Sequence, residues 1–398
     1  MRGRTVLLLL VVGSGAGACG GDEEAPTGPT QAEIVSQYAK LVDRNYQEVV
    51  RTAEALDQAI QAFVADRTPA KLEAAKTAWL AARVPYGQTE AFRFYDGPID
   101  DPVDGPEGRI NPWPLDEAYI DRVPGADHDN NIIGDTTVTL DAETLGGLNE
   151  GGEGDVFGAG GNFNAEASIA LGYHAIEFML WGQDQNSAGP GTRPATDFLE
   201  PNGTLPNGNR RAQFLSVVST ILVADLRSVA TQWASGGAYR SSFEADATTS
   251  LKKLMGGMGI LAKGELGSER MDVALTTKDQ EDEHSCFSDN THVDFRMNML
   301  GIQNVYLGRY GDLDGPGVQD LLRSSDAALE ADMTAHLADL VATLDGFSPP
   351  VDQAISDSNS VGFQTLSSVV GKLYEAGDKV AAAAQAIGLG TISVELPE

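Results

Sequence analysis

Apolar residues recur at steps of three and four along most of the 398-residue chain. In the first such stretch they are Ile34, Tyr38, Leu41, Val42, Val49, Leu56, Ile60 and Phe63. This spacing places them on one stripe of an α-helix, whereas a half-buried strand needs strict alternation. Helical spacing returns in the stretches 69–94, 209–233, 240–264, 294–309, 317–345 and 361–387, and a strand is indicated only in the tail Thr391–Leu396. The sequence therefore predicts an all-α fold.

Capping residues place the first two helix starts. Thr30-Gln31-Ala32-Glu33 fits a capping box, and Thr68-Pro69 supplies an N-cap followed by a proline at the first helical position. The second of these helices is expected to run to about Phe94. Residues 95–163 then lose the periodicity and are rich in glycine and proline. Because this stretch is too long for a simple connection, we interpret it as an insertion in the first half.

A short internal echo suggests how the helices are organised. Leu171–Glu177 (LGYHAIE) can be laid over Leu300–Tyr306 (LGIQNVY), with the glycine and the apolar positions matching. The echo predicts two helical-bundle halves related by duplication, residues 31–235 and residues 236–398. His174 and Glu177 are replaced in the second copy, so helix packing does not require them. The pair in the first copy is therefore a candidate for function.

The N-terminus has the pattern of an export signal. Arg2 and Arg4 precede the apolar run Val6–Val12, which is too short to span a bilayer, so residues 1–18 are predicted to be a signal peptide. The following Ala16-Gly17-Ala18-Cys19 resembles a bacterial lipobox, which implies cleavage before Cys19 and lipidation of its thiol. Ordinary cleavage near Ala18 is the alternative. Residues 19–30 are interpreted as a flexible tether.

The net charge limits the possible binding partners, and the cysteine content limits the possible disulfides. The formal net charge is −31, which disfavours binding to nucleic acid and to anionic lipid head groups. Cys286 is the only cysteine besides Cys19. If Cys19 carries lipid, no disulfide can form, and stability must come from the core.

His174 and Glu177 form the strongest candidate site. They lie three residues apart in the apolar segment Leu171–Gly182, so in a helix both side chains lie on one face. Buried ionisable groups are costly unless something pairs with them. Imidazole nitrogen and carboxylate oxygen together suit iron, zinc or manganese, and helical bundles present metal ligands in this way. A purely structural His–Glu hydrogen bond is the alternative.

The segment around this pair resembles a known family. Gly172, His174 and Glu177 match the GxHxxE signature of imelysin-like proteins. The blocks Gly264–Met271 and Gln280–Thr291 look like the iron-regulated protein A branch of that family, and Trp79–Phe94 and Asn111–Ile120 also look familial. Together these segments extend the resemblance over nearly the whole mature chain.

The resemblance implies features of the fold, the location and the function of the protein. It implies an exported bacterial protein, often a lipoprotein, that takes part in iron acquisition and has GxHxxE near the junction of two helical halves. We therefore expect the chain on the periplasmic side of a membrane, anchored through Cys19, at the outer rather than the inner membrane. The expected ligand is a metal ion or a small metal chelate, iron before zinc, and iron-transport components are the expected partners. The family also carries a peptidase label.

Two ligands hold a metal poorly, so we expect other side chains of the chain to complete the site. Glu90 is the first candidate, with a salt bridge to Arg83 or Arg93 as the alternative. Weaker candidates are Asp116, Glu117 and the block Asp282–Asp289, in which Ser288, Asp289 and Asn290 could instead cap a helix. Cys286 is expected to be a buried apolar residue. The remaining histidines, His128, His292 and His336, are interpreted as structural or exposed.

Three functions remain open on the sequence alone. The first is metal or metal-chelate binding at His174, Glu177 and Glu90. The second is a metallopeptidase, although the chain has no HExxH motif and Phe178 stands where the inverse motif HxxEH needs histidine. The third is a module that binds a ligand other than a metal, in which His174 and Glu177 only orient that ligand.

Overall fold

The architecture is described from a computed structural model, which describes residues 28–124, 130–150, 167–186, 189–348 and 350–396. In the first part of the chain the helices are α1 Gln31–Ala65, α2 Pro69–Thr89, α3 Glu107–Ile110, α4 Glu117–Ile120, α5 Ala142–Leu148, α6 Gly172–Trp181 and α7 Gly208–Trp233. They continue with α8 Ala238–Ala245, α9 Ala247–Ile260, α10 Val273–Thr277, α11 Thr291–Leu307, α12 Val318–Ser325, α13 Ala327–Asp345, α14 Val351–Ile355 and α15 Val361–Ala386. The fold is all-α, as predicted.

Shorter elements complete the described chain. Turns of 3₁₀-helix occupy Glu90–Phe92, Ala195–Phe198 and Gln280–Asp282, and a wide π-helix, Leu261–Asp272, joins α9 to α10. Strands β1 Arg309–Tyr310 and β2 Leu313–Asp314 form a small antiparallel hairpin in which Arg309 faces Asp314. The predicted strand at 391–396 is wrong, because among the described residues this tail has no neighbouring strand with which to pair.

The two predicted helix starts are confirmed. Thr30 Oγ1 accepts the Glu33 amide at 3.3 Å, and the Glu33 carboxylate accepts the Thr30 amide at 2.8 Å, which completes the capping box. Thr68 is the N-cap of α2, and Pro69 occupies its first turn. The helical stretch expected at 317–345 is divided, because Asp326 ends α12 and caps α13 through the amides of Ala328 and Leu329.

Helix α2 lies at the centre of the packing. It packs along α1 on one side and along α11 on another, while α6 packs against both α2 and α7. The Trp79 indole N–H donates to the Tyr173 carbonyl at 2.9 Å, which fixes α6 relative to α2. Trp79, Tyr86 and Tyr173 are fully buried, so the apolar contacts around α6 belong to the core.

The two segments of the internal echo have different local structures. Gly172 is the first residue of α6 and has φ +89°, and a Cβ at this position would lie 2.7 Å from the Ile110 carbonyl oxygen. Gly301 lies well inside α11, where a Cβ would lie 2.4 Å from the Gln88 carbonyl oxygen. The first glycine is needed for a turn and the second for close helix packing. The predicted boundary between residues 235 and 236 falls between α7 and α8, and the division into halves stays a prediction.

The predicted insertion, residues 95–163, is only partly within the described residues. Its described part folds into α3, α4 and α5 with the loops between them. The loop between α3 and α4 carries Asn111 and Trp113, and the Ile110 carbonyl beside it contacts Gly172. The insertion therefore forms one wall of the site at α6.

Candidate metal centre at two paired histidines

Helix α6 carries both residues of the predicted pair. His174 and Glu177 are fully buried, and His174 Nδ1 lies 2.9 Å from Glu177 Oε2. The second carboxylate oxygen, Oε1, accepts the Ser288 amide at 3.0 Å and the Ser288 hydroxyl at 2.6 Å. Both oxygens of Glu177 are therefore engaged by neighbouring groups.

The neighbours of Glu177 supply hydrogen bonds but little positive charge. Burial raises the pKa of Glu177 to about 8, and the hydrogen bonds from Ser288 offset only part of this rise. Burial also lowers the pKa of His174 far below its usual value, so the ring is neutral at pH 7. When Glu177 is ionised, His174 donates its Nδ1–H to it and keeps a lone pair on Nε2.

A second histidine–carboxylate pair lies beside the first. His284 Nδ1 lies 2.9 Å from Asp294 Oδ2, and both side chains are buried. Arg83 contacts both oxygens of Asp294, with Nε 3.2 Å from Oδ1 and Nη2 3.0 Å from Oδ2. Burial alone would raise the pKa of Asp294, but Arg83 and His284 outweigh it and hold this pKa well below its usual value. Asp294 is therefore ionised, and His284 donates to it.

The two histidine rings face each other in an edge-to-face arrangement. Their centroids are 4.7 Å apart, and the Trp113 ring covers both at 5.0 Å from His174 and 6.4 Å from His284. His174 Nε2 is buried and has no hydrogen-bond partner. His284 Nε2 has only a long contact of 3.4 Å with Asn111 Nδ2. Each ring thus uses Nδ1 for a carboxylate and leaves Nε2 for another ligand.

A cavity of about 390 Å³ adjoins the His284 ring, whereas His174 is not part of the cavity wall. His284, Asn111 and Trp113 form part of its wall, together with Arg93 and Arg270. Five acidic side chains, Glu107, Glu150, Glu265, Glu269 and Asp282, also line it, together with Pro112, Pro114 and Val273. The cavity is large enough for a small chelate and presents both signs of charge to it.

Comparison with known proteins identifies the family. The model of the imelysin family, which is classified as peptidase M75, matches residues 42–380. The chain belongs to the imelysin family.

Individual relatives support the family assignment. Iron-regulated protein A of Synechococcus elongatus is 27% identical over 301 residues, which covers 72% of this chain and 68% of the relative. The crystal structure of an iron-regulated protein A precursor from Parabacteroides distasonis has a TM-score of 0.67 at 18% identity and covers 91% of this chain and 97% of its own. An imelysin-like protein from Psychrobacter arcticum has a TM-score of 0.57 at 13% identity, covering 92% and 98%. These two structures confirm the fold.

Glu90 forms ion pairs with arginines. Its Oε2 lies 2.9 Å from Arg93 and 2.8 Å from Arg270, whereas its Oε1 is buried without a partner. Burial would raise the pKa of Glu90, but Arg270 and Arg93 outweigh it and lower this pKa to about 2. The Arg93 salt bridge is one of the alternatives that the sequence left open. A role of Glu90 in binding metal stays a prediction.

The wide helix explains how Arg270 reaches this position. A π-helix closes hydrogen bonds between residues five apart, so side chains at that spacing lie on one face. Glu265 and Arg270 have this spacing, and Arg270 Nη2 lies 2.8 Å from Glu265 Oε1. Arg270 Nη1 also donates to Asn298 of α11 at 2.7 Å. The π-helix thus holds a guanidinium at the cavity wall with a partner for each of its three nitrogens.

The other predicted residues have varied positions. Asp116 caps α4 by accepting the Ala118 amide at 3.0 Å, and Cys286 is buried, which raises the pKa of its thiol well above the usual value. Asn290 is the N-cap residue of α11 but makes no capping hydrogen bond with its side chain, and Ser288 binds Glu177 rather than capping a helix. Cys19 and His128 lie outside the described residues.

Several residues of this site were not found from the sequence. Asp294, Asn111 and Trp113 come from segments distant from α6, and no local spacing connects them to His174. The sequence around Arg83 does indicate a buried ion pair, because an arginine within the apolar stretch Trp79–Val84 needs a buried counter-charge. In the described part of the chain, no three His, Cys, Asp or Glu side chains are grouped as ligands of one metal ion.

Proposed function

We propose that this imelysin-family protein binds a metal ion, iron in preference to zinc, at His174 and His284 through their Nε2 atoms. The observation that supports the proposal is the repeated arrangement of the two rings. Each buried histidine is neutral and contacts a buried acidic side chain through Nδ1. His174 Nε2 has no partner, and His284 Nε2 has only the 3.4 Å contact with Asn111. Metal-binding histidines in proteins characteristically have their other ring nitrogen bound to a carboxylate in this way.

Glu177 then has an orienting role. Sequence reasoning made it a direct ligand with His174, but both of its oxygens are engaged by His174 and Ser288. A carboxylate in that position fixes the ring and makes the distal nitrogen a better donor. Asp294 does the same for His284. Imidazole nitrogen suits iron, zinc and copper, so the two rings alone do not select the metal.

Two nitrogens do not complete the coordination of iron or zinc, which take four or more ligands. Among the described residues, no third His, Cys, Asp or Glu side chain joins the two histidines as a metal ligand. The adjoining cavity of about 390 Å³ has room for an organic chelator that brings its own oxygen donors. We therefore propose that the physiological ligand is a metal chelate, with the acidic and arginine side chains of the cavity contacting the chelator.

The cellular context is proposed from the sequence and the relatives. The signal pattern and the lipobox-like Ala16–Cys19 support export and anchoring through Cys19 on the periplasmic side, at the outer membrane. The relatives named iron-regulated protein A support a place in iron acquisition beside iron-transport components. Replacing Cys19 by serine should abolish metabolic labelling with palmitate and release the protein from membranes. Unchanged membrane attachment of that variant would contradict the anchor.

Calorimetry tests the metal site. Protein stripped of metal is titrated with Fe(III) citrate, Fe(II), Zn(II) and Cu(II), and one site per chain is expected. His174→Ala and His284→Ala should each weaken binding by more than about tenfold. His336→Ala is the matched control, because His336 lies on α13 and donates to the Lys372 carbonyl at 2.7 Å. Equal binding by all four proteins would contradict the proposal.

The same samples test catalysis. If the metal-loaded protein cleaves a peptide library and Glu177→Gln abolishes cleavage, the site hydrolyses peptides and the binding role is secondary. Binding of an organic ligand that does not depend on metal, and is unchanged by His174→Ala, would support the third interpretation.

A further inference from the structure

A second cavity, of about 370 Å³, lies at the C-terminal end of α6. It shares no lining residue with the cavity beside His284, and neither His174 nor His284 is part of its wall. The end of α6 contributes Phe178, Trp181 and Gly182, and the chain that follows contributes Arg193 and Asp197. The cavity therefore stands apart from the proposed metal site.

Two buried polar atoms of this wall are unsatisfied. Arg193 is 9% exposed and Asp197 7%, and among the described residues Arg193 Nε and Asp197 Oδ1 have no hydrogen-bond partner. An arginine Nε–H can only donate, whereas an ionised carboxylate can only accept. Because buried polar groups in native proteins are nearly always hydrogen-bonded, this donor and this acceptor need partners from outside the polypeptide.

Contacts on several sides hold Arg193 in one orientation. Its Nη1 donates to Asp121 Oδ2 at 2.7 Å, and its guanidinium carbon lies 5.0 Å from the centre of the Phe178 ring. Its backbone amide donates to the Trp181 carbonyl at 2.7 Å. A Cβ at Gly182 would lie 3.4 Å from Arg193 Nε, so this glycine leaves space beside the nitrogen. The donor is thus oriented in advance and accessible to a small ligand.

Asp197 is held by its own neighbours. It lies in the 3₁₀ turn Ala195–Phe198, where its backbone carbonyl accepts Arg211 Nη1 at 3.1 Å and its side chain shares a hydrogen bond with Thr204. Burial raises the pKa of Asp197, whereas Arg193 and Arg211 limit the rise and favour the ionised form. The side chain therefore offers Oδ1 as an acceptor.

The buried charges beside the cavity balance one another. Arg193 and Arg211 both form ion pairs with Asp121, and Asp197 supplies a second carboxylate near the two arginines. Arg122 also lines the cavity, but it is exposed, so solvent screens its charge. A charged ligand would lose its hydration without gaining an unbalanced buried counter-charge, and a neutral ligand avoids this cost.

We propose that this cavity binds a small neutral sugar, with hydroxyl groups that contact Arg193 and Asp197. A hydroxyl group both donates and accepts, so hydroxyls of one ligand can accept from Arg193 Nε and donate to Asp197 Oδ1. A sugar ring also has an apolar C–H face, which suits the apolar members of the wall, namely Val123, Pro124, Phe178, Trp181 and Leu205. The proposal does not depend on metal binding at the two histidines.

A ligand panel tests the class of compound. The mature chain is titrated with glucose, galactose and maltose in a calorimeter, and the contacts are confirmed by saturation-transfer NMR. At least one of these neutral sugars should bind at one site per chain. Glucuronate and glucosamine are the charged controls and should bind at least about tenfold more weakly. No saturable binding of any neutral sugar, or tighter binding of a charged one, would overturn the proposal.

Conservative variants test the two polar contacts. Arg193→Lys keeps a positive charge near Asp121 but removes the Nε donor, and Asp197→Asn removes the charged acceptor. Each should weaken sugar binding by at least about tenfold. Arg227→Lys and Asp378→Asn are the matched controls, because Arg227 is 59% exposed in its pair with Glu54 and Asp378 is 68% exposed in its pair with Lys263. Equal binding by the variants and their controls would overturn the proposal.

A variant at the rim separates loss of the site from loss of the fold. Leu205 is half-buried in the cavity wall and is not part of any buried ion pair. Leu205→Trp should fill the cavity and abolish sugar binding, with a melting temperature and a metal titration like those of the wild type. Sugar binding that persists in Leu205→Trp would contradict this location. His174→Ala should bind sugar normally, so failure at the histidine site is distinguishable from failure here.

Discussion

His284 lies between two groups of buried carboxylates that differ in how their charge is balanced. On one side, Asp294 contacts Arg83, and Glu90 contacts Arg93 and Arg270. On the other side, the cluster of Asp184, Glu283, Asp289 and Asp352 has no basic partner within the described residues. The pKa of Asp294 lies well below its usual value, whereas that of Glu283 lies well above it.

The difference is whether an arginine balances the buried charge. The carboxylates paired with arginine are held ionised, and Asp294 fixes the orientation of His284, although Glu90 keeps one oxygen without a partner. In the acidic cluster, burial and the neighbouring carboxylates raise the pKa of Glu283 and so favour its neutral form. His174 lies between these extremes, because its carboxylate, Glu177, accepts hydrogen bonds but has no direct positive partner. Variants on the two sides of His284 should therefore respond in opposite directions.

The largest effect is expected for Asp294→Asn. This change leaves the buried Arg83 without its counter-charge and should lower the free energy of unfolding by about 3–5 kcal/mol. Glu283→Gln, on the other side of His284, should cause no loss, because the raised pKa of Glu283 already favours a neutral side chain that glutamine resembles. Urea unfolding at pH 7 followed by circular dichroism measures both. Similar losses in the two variants would remove the distinction between the two groups.

A smaller effect with a defined pH dependence is expected for Glu90→Gln. The folded pKa of Glu90 is lowered to about 2, so its ion pairs stabilise the fold fully above pH 4.5. This contribution is lost as the pH falls from 4.5 towards 2. At pH 7 the variant should lose about 1–3 kcal/mol, less than Asp294→Asn, because Arg270 keeps Glu265 and Asn298 as partners.

Unfolding measured from pH 7 down to pH 2 tests this dependence. The wild type should lose stability more steeply than Glu90→Gln below pH 4.5, so that the difference between the two proteins narrows in acid. If the difference in the free energy of unfolding stays constant over this range, the ion pairs of Glu90 make no pH-dependent contribution to stability.

The smallest effect on stability is expected for Ser288→Ala. The variant removes the hydroxyl that donates to Glu177 at 2.6 Å but keeps the amide of residue 288, so the loss should be about 1 kcal/mol. Metal affinity should fall more clearly, by about tenfold, because the orientation of His174 depends on Glu177. Calorimetry beside urea unfolding separates these two quantities. Unchanged metal affinity would mean that Ser288 does not influence the histidine site.

Local signals in the sequence predicted the local parts of the structure. The capping residues Thr30 and Thr68 start helices where expected, since a cap involves only neighbouring residues. The spacing of His174 and Glu177 likewise predicted their proximity, because residues three apart on a helix lie on one face. The all-α class followed from the same periodicity.

Contacts between distant segments could not be predicted from such local patterns. Asp294 meets Arg83 only because α11 packs along α2, and Trp113 covers the histidines only because the insertion lies against α6. The echo between Leu171–Glu177 and Leu300–Tyr306 matched in sequence although Gly172 and Gly301 meet different steric requirements. A residue pattern shows that a glycine is present but not which backbone atom approaches it.

In the proposed site, the Nε2 atoms of His174 and His284 bind the metal. X-ray absorption spectroscopy of the iron-loaded protein tests it most directly, since imidazole ligands give a recognisable outer-shell signal. We expect two imidazole nitrogens bound to iron in the wild type, one in His174→Ala and one in His284→Ala, with the remaining ligands being oxygen. A wild-type spectrum with a single imidazole, unchanged in His284→Ala, would contradict it and would restore His174 and Glu177 as direct ligands.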